Sequence, residues 1–174
     1  MLLLYTITAT ILSGQSDTLI LMETPFGDMT FAFHEETPQH KKHFIDLAEQ
    51  GYWDTLTFNR VIEDFVVQGG CPDTEQGFSD SPYLLDEEIH PKLTHVFGAI
   101  GAGRDMNPEK QSAYCQFYII HNQKGVHRLD GDYTVFGQLI EGEKTLAALG
   151  NVPTNANHEP KEKINLNISI IYPE

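Results

Sequence analysis

The chain has 174 residues, 40% hydrophobic and 21% charged, which is enough for one domain with a real core. Its 25 Asp and Glu against 11 Lys and Arg give a formal charge of −14. That balance opposes phosphate backbones and anionic lipid, so nucleic acid is excluded as an expected partner.

In chain order, residues 1–16 hold a short apolar run, Met1 to Leu4 and Ile7 to Leu12, closed by Ser13-Gly14-Gln15-Ser16. The run is too short to span a bilayer but has the length of a signal-peptide core. Residues 1–16 are therefore expected to be a signal or tether segment of an exported, periplasmic or membrane-tethered protein, with the domain at 17–174. Gln15 stands where lipid acylation would need Cys. The alternative is a leading strand of a cytoplasmic chain, because β-branched residues alternate from Tyr5 to Ile11. From Thr18 a hairpin is expected: Leu19 to Met22, a turn over Thr24 to Asp28, then Met29 to Phe33. Thr37-Pro38 supplies an N-cap and first-turn proline for a helix with Phe44, Leu47 and Ala48 on one face, ending near Gly51.

Next comes Phe58-Asn59-Arg60-Val61-Ile62-Glu63-Asp64-Phe65-Val66-Val67-Gln68-Gly69-Gly70. It reads as two strands joined by a tight turn at Glu63-Asp64, with period two in Phe58, Arg60 and Ile62. A guanidinium does not lose its proton, so Arg60 must sit at the surface or be held by hydrogen bonds in a partly dry site. A polar, turn-rich stretch runs to Pro91, and an apolar segment follows around Val96 to Ile100. Strands at Gln116 to Ile120 and Val135 to Leu139 precede a second helix, Gly142 to Leu149. A last strand spans Ile164 to Ile171, with Ile164, Leu166, Ile168 and Ile170 in alternation. The class is mostly β with two helices.

Three blocks in fixed order, Phe58 to Gly70, Gln116 to Ile120 and Leu129 to Gly137, together resemble the cyclophilins, the peptidyl-prolyl cis/trans isomerases. The resemblance covers about Thr18 to Ile171 and implies a closed eight-stranded antiparallel β-barrel capped by two helices. It also implies isomerisation of X-Pro bonds by non-covalent stabilisation of the twisted amide, with assistance to protein folding. Catalytic roles fall on Arg60, Gln68 and Gln116. The proline pocket matches Phe65, Val66, Tyr118, Leu129 and Tyr133, with substrate backbone along Ala102-Gly103-Arg104. No metal or cofactor is implied. The expected partners are proline-containing peptides and unfolded or folding proteins, and the chain is expected to be a monomer.

This sequence departs from the family pattern at Asn59 (commonly His), Val66 (Met), Tyr118 (Phe), Tyr133 (His) and Arg128 (Trp or Phe). The two phenols are expected to make the pocket rim more polar. Arg128 implies weak cyclosporin binding. Cys71 and Cys115 are too few for a disulfide framework and lack zinc spacing, and read first as two buried or semi-exposed thiols. By the resemblance each lies next to a block bordering the site, which leaves a bridge open as the alternative, given an oxidising compartment and Cα atoms within about 7 Å.

Rival chemistries are poorly supported. His40 and His43, an i, i+3 pair, read as a solvated helix face rather than a metal site. Ser112, Cys115 and His121 form no nucleophile motif. The glycines from Gly98 to Gly103 lack the Lys-Ser/Thr and following helix of a phosphate loop. The alternative from another class is a module that binds proline segments with little turnover.

Overall fold

The computed structural model describes residues 15–70 and 84–173. Cys71, on which the alternative of a bridge to Cys115 depends, and most of the expected leader lie outside those residues. The first strand, β1, opens at Gln15 and runs to Thr24, and its register begins with Gln15 opposite His34.

The chain then forms β2 (Gly27–His34), α1 (Pro38–Glu49), β3 (Phe58–Ile62), β4 (Val66–Gly69), β5 (Leu84–Leu85), β6 (Ala99–Ala102), β7 (Ser112–Ala113), β8 (Phe117–Ile120), β9 (Val135–Glu141), α2 (Glu143–Gly150) and β10 (Asn167–Ile171). A short 3₁₀ turn at His127–Leu129 precedes β9. Eight strands form one antiparallel sheet in the order β10, β1, β2, β9, β6, β8, β4, β3, and β5 pairs with β7.

The expected closed barrel is corrected here: the sheet is open, with β3 and β10 at its edges. The two edges meet where the start of β3 and the residues before it run beside the residues just before β10, with Thr57 bridged to Asn165. Phe58 N–H donates to Ile164 O, and Leu166 N–H to Leu56 O, each at 2.9 Å. Farther along, Val61 N–H donates to His158 O, so the 153–163 loop covers the β3 edge that β10 would have to pair. Ile164, Leu166 and Ile168 are buried in the expected alternation, but only the last of them lies within β10.

One face of the sheet closes on the main core. Phe31, Phe33, Val67, Ile100, Phe117 and Ile119 are at most 1% exposed, and Phe44 and Leu47 of α1 and Leu146 and Leu149 of α2 pack onto them. Each such side chain contributes about 1.5–3 kcal/mol by leaving water. The rings of Phe44, Trp53 and Phe117 meet edge-on or tilted at 4.4–5.8 Å.

α1 starts after Thr37, but the Thr37 hydroxyl does not cap it. Glu88 does so from 48 residues away: its carboxylate accepts the Gln39 and His40 N–H groups, each at 2.9 Å. The same carboxylate bonds His40 Nδ1 at 2.7 Å, and His40 Nε2 lies 3.1 Å from Ser112 Oγ. His40 is therefore 3% exposed, not part of a solvated face as expected, because it fastens the helix to the β5 and β7 region. Burial alone would raise the Glu88 pKa; the hydrogen bonds from His40 and the helix amides hold it below its ordinary value.

Candidate active site

The other face of β4, β6 and β8 carries the site. Alternation along a strand places neighbouring side chains on opposite faces. Val67, Ile100, Phe117 and Ile119 therefore point to the core, while Val66, Gln68, Gly101, Tyr118 and Ile120 face outward. Val66, Tyr118, Leu129 and Val135 join a second apolar cluster there, with Phe65 and Tyr133 packed on it.

In β3 the expected Phe58, Arg60, Ile62 alternation fails. The register shifts between Phe58 and Arg60, with Asn59 as the extra residue. Phe58 and Val61 consequently both enter the core, at 1% and 2% exposure, and Arg60 is left opposite Gln68 on the outer face. A bulge of this kind re-aims a side chain. Asn59 Oδ1 is buried and has no hydrogen-bond partner.

These elements enclose a cleft of about 500 Å³. Ten of the eleven residues expected at the site line it: Arg60, Gln68 and Gln116; Phe65 and Val66; Gly103, Arg104 and Tyr118; Leu129 and Tyr133. Ala102 does not. Its side chain is 4% exposed and sits in the main core, since it alternates with Gly101 and Gly103. The backbone of that segment is also largely engaged. Ala102 N–H donates to Thr134 O, Gly103 N–H donates to Gln116 O, and Gly103 O accepts from Ala113 N–H.

Arg128 completes the wall. The Arg128 guanidinium lies over the Phe65 ring at 4.5 Å, and the Arg104 guanidinium over Tyr133 at 4.6 Å. All three arginines of the chain thus border one cleft.

Arg60 Nη1 donates to Gln68 Oε1 at 3.0 Å. The guanidinium is half-buried, and desolvation lowers its pKa from the ordinary value, yet it remains a cation. Five N–H donors minus one leave the rest for a ligand. Gln116 is 8% exposed and lies against Gly103, where any Cβ would come within 2.3 Å of its Oε1. The Tyr118 ring lies across Gly101, where a Cβ would meet Cζ at 2.4 Å. Glycine at 101 and 103 therefore shapes the floor by giving up its side-chain space.

The expectation that Tyr118 makes the rim polar is corrected by its hydroxyl, which turns inward. It bonds His95 Nε2 at 2.8 Å, and His95 Nδ1 bonds Asp130 Oδ1 at 2.7 Å. Asp130 also accepts His95 N–H at 2.8 Å and bonds His127 Nδ1 at 2.9 Å. Burial opposes the Asp130 charge, but these bonds hold its pKa below the ordinary value. The fully buried His95 ring is held neutral: desolvation pulls its pKa down more strongly than Asp130 raises it. With Asp130 accepting at Nδ1, Nε2 is left to accept the Tyr118 O–H. Burial pushes the Tyr118 pKa well above 10.0, so the phenol stays a donor. Sequence reasoning missed His95, a lone histidine 23 residues before its partner, with no local pattern to mark it.

Among the described residues, no three His, Cys, Asp or Glu side chains cluster as ligands.

Residues 19–169 match the family model for cyclophilin type peptidyl-prolyl cis-trans isomerases. The peptidyl-prolyl cis-trans isomerase-like 1 of Neurospora crassa is 30% identical over 150 residues, covering 84% of this chain and 90% of its own length. The Schizosaccharomyces pombe isomerase ppi1 is 31% identical over 148 residues, covering 83% and 93%. A Cryptosporidium parvum cyclophilin crystal structure superposes with a TM-score of 0.79 at 29% identity, covering 90% of this chain and 99% of that one. A second structure of that protein, determined in the presence of the dipeptide Ala-Pro, gives 0.75. With the family model matched over residues 19–169 and the fold shared with a cyclophilin crystal structure, the chain belongs to the cyclophilin-type peptidyl-prolyl cis-trans isomerases.

Proposed function

We propose that the cleft isomerises X-Pro bonds in proline-containing peptides and folding proteins by binding the twisted amide more tightly than either planar form. Rotation about the bond faces a barrier of roughly 18–20 kcal/mol, because amide resonance must be broken. As the bond twists, the lone pair localises on the prolyl nitrogen and becomes an acceptor. The observation that carries this reading is Arg60: a half-buried guanidinium, oriented by Gln68 at 3.0 Å, on the wall of an apolar-floored cleft. One of its remaining N–H groups donates to that nitrogen, and the partly dry surroundings strengthen the bond. Phe65, Val66, Tyr118 and Leu129 grip the proline ring, and the Gln116 amide positions the adjoining peptide group. No covalent intermediate or proton transfer is needed.

The protein acts as a monomer in this account, and cyclosporin binds weakly because Arg128 stands where an apolar plate would lie. Export remains our reading of the apolar run in residues 1–12; mass spectrometry of the native mature protein tests it. The function itself is tested by adding a trace of protein to an X-Pro test peptide under slow cis-to-trans exchange. Acceleration in proportion to protein concentration is expected. Tight peptide binding without acceleration would replace the enzyme by a proline-binding module.

A further inference from the structure

The distribution of positive charge points to a preference among substrates. The chain carries a formal charge of −14, yet every one of its arginines, Arg60, Arg104 and Arg128, borders the same cleft. Among the described residues none of the three is ion-paired with a carboxylate. The ion pairs use Lys instead, Lys41 with Glu35, Lys42 with Asp46 and Lys110 with Asp132, while His40, His95 and His127 hydrogen-bond Glu88 or Asp130. Of the acidic groups around the cleft, Asp130 is bonded by two histidines and Asp132 by Lys110, while Asp64 lines the adjoining depression and is in no ion pair among the described residues.

The three guanidiniums are not equivalent. Arg60 is half-buried and bonded to Gln68. Arg104 is fixed by the backbone carbonyls of Asp132, Asp105 and Asn107. Arg128 is exposed and rests on the Phe65 ring at 4.5 Å. Phe65 is a wall of the cleft, and beyond it a second depression shares Arg60, Phe65 and Arg128 with the first. A peptide leaving the cleft on that side passes under an unpaired guanidinium, whose planar fork suits a carboxylate.

Resting on the reading of the cleft as an X-Pro isomerase site, we propose that it favours segments carrying a carboxylate side chain next to the proline, and that Arg128 is the residue that reads it. The acidic body of the protein repels such segments at long range, while the cleft supplies the opposite sign at contact. Selection is then for an acidic residue at the proline itself, not for acidic peptides in general.

The experiment uses the full chain and two peptide series, with Glu, Gln or Lys placed immediately before or immediately after the proline. Isomerisation and binding by NMR titration are measured on each. The expected result, in at least one series, is the order Glu, Gln, Lys in both kcat/KM and affinity. The Glu to Gln ratio should be roughly three- to tenfold at low ionic strength, as for a partly exposed charge-assisted bond, and should shrink at about 0.5 M salt. Arg128→Gln should bring the ratio toward one, and Arg128→Glu should favour Lys. Equal handling of Glu and Gln in both series overturns the proposal, as does a Glu preference that survives Arg128→Glu. If no peptide is turned over, the isomerase reading fails, and the binding order in the same titrations still decides the charge preference.

Discussion

The two faces of strands β4, β6 and β8 solve opposite problems with alternate residues of the same segments. On the core face Val67, Ile100, Phe117 and Ile119 carry no polar side-chain atoms and are at most 1% exposed. On the cleft face Gln68 and Tyr118 bring polar groups into a partly dry wall, and each has a named partner, Arg60 for one and His95 for the other. Burying a polar group without such a partner costs more than its hydrogen bond returns. The comparison separates stability, held by packing on one side, from recognition, held by a satisfied polar network on the other.

Breaking the core face should produce the largest effect. Phe117→Ala removes a ring packed against Phe44, Trp53 and Phe58 and should cost about 3–5 kcal/mol in a urea titration. A loss below about 1 kcal/mol would show that this face is not the stabilising one.

Breaking the network beneath the cleft should cost less. His95→Ala leaves the Tyr118 hydroxyl and the Asp130 carboxylate short of a partner, and about 1–3 kcal/mol should be lost. The pH dependence has a defined sign. Burial lowers the His95 pKa below 6.5, so the unfolded chain takes up a proton first as pH falls. The stability contributed by a neutral His95 is complete above pH 6.5 and is lost as pH falls through its lower folded pKa. Urea titrations at several pH values should therefore show a steeper decline on acidification for the wild type than for His95→Gln. Parallel curves would mean that folding leaves the His95 pKa unchanged, and a shallower decline for the wild type would mean that the fold raises it.

The smallest effect sharpens the comparison at the rim. Arg128→Trp should tighten cyclosporin binding by roughly tenfold, because a rigid indole replaces a cation that must be desolvated under an apolar macrocycle. Equal, tight binding to both proteins by calorimetry would remove Arg128 from the account.

Much of this arrangement was legible because its signals are local. Thr37-Pro38 with Phe44 and Leu47 marks α1, the alternation from Ile164 to Ile170 marks the inward face of the last segment, and the Arg60 to Gln68 spacing fits one hairpin. What escaped depends on partners distant in sequence. The bulge at Asn59 exists only relative to β4, and it sends Phe58 away from Arg60. The cap of α1 is Glu88, and the anchor of Tyr118 is His95, neither of which advertises its contact. Whether the sheet closes is decided at the edges of β3 and β10, where a loop takes up the pairing that strand propensity cannot assign.

The central claim is that the cleft face acts through the Arg60 guanidinium while the opposite face holds the fold. Arg60→Ala, assayed for kcat/KM on an X-Pro peptide and for urea stability on the same sample, tests it most directly. The account predicts a fall in kcat/KM on the order of 10² to 10³, as for loss of one transition-state donor, with stability changed by less than about 1 kcal/mol. Wild-type turnover in a folded Arg60→Ala protein would contradict it.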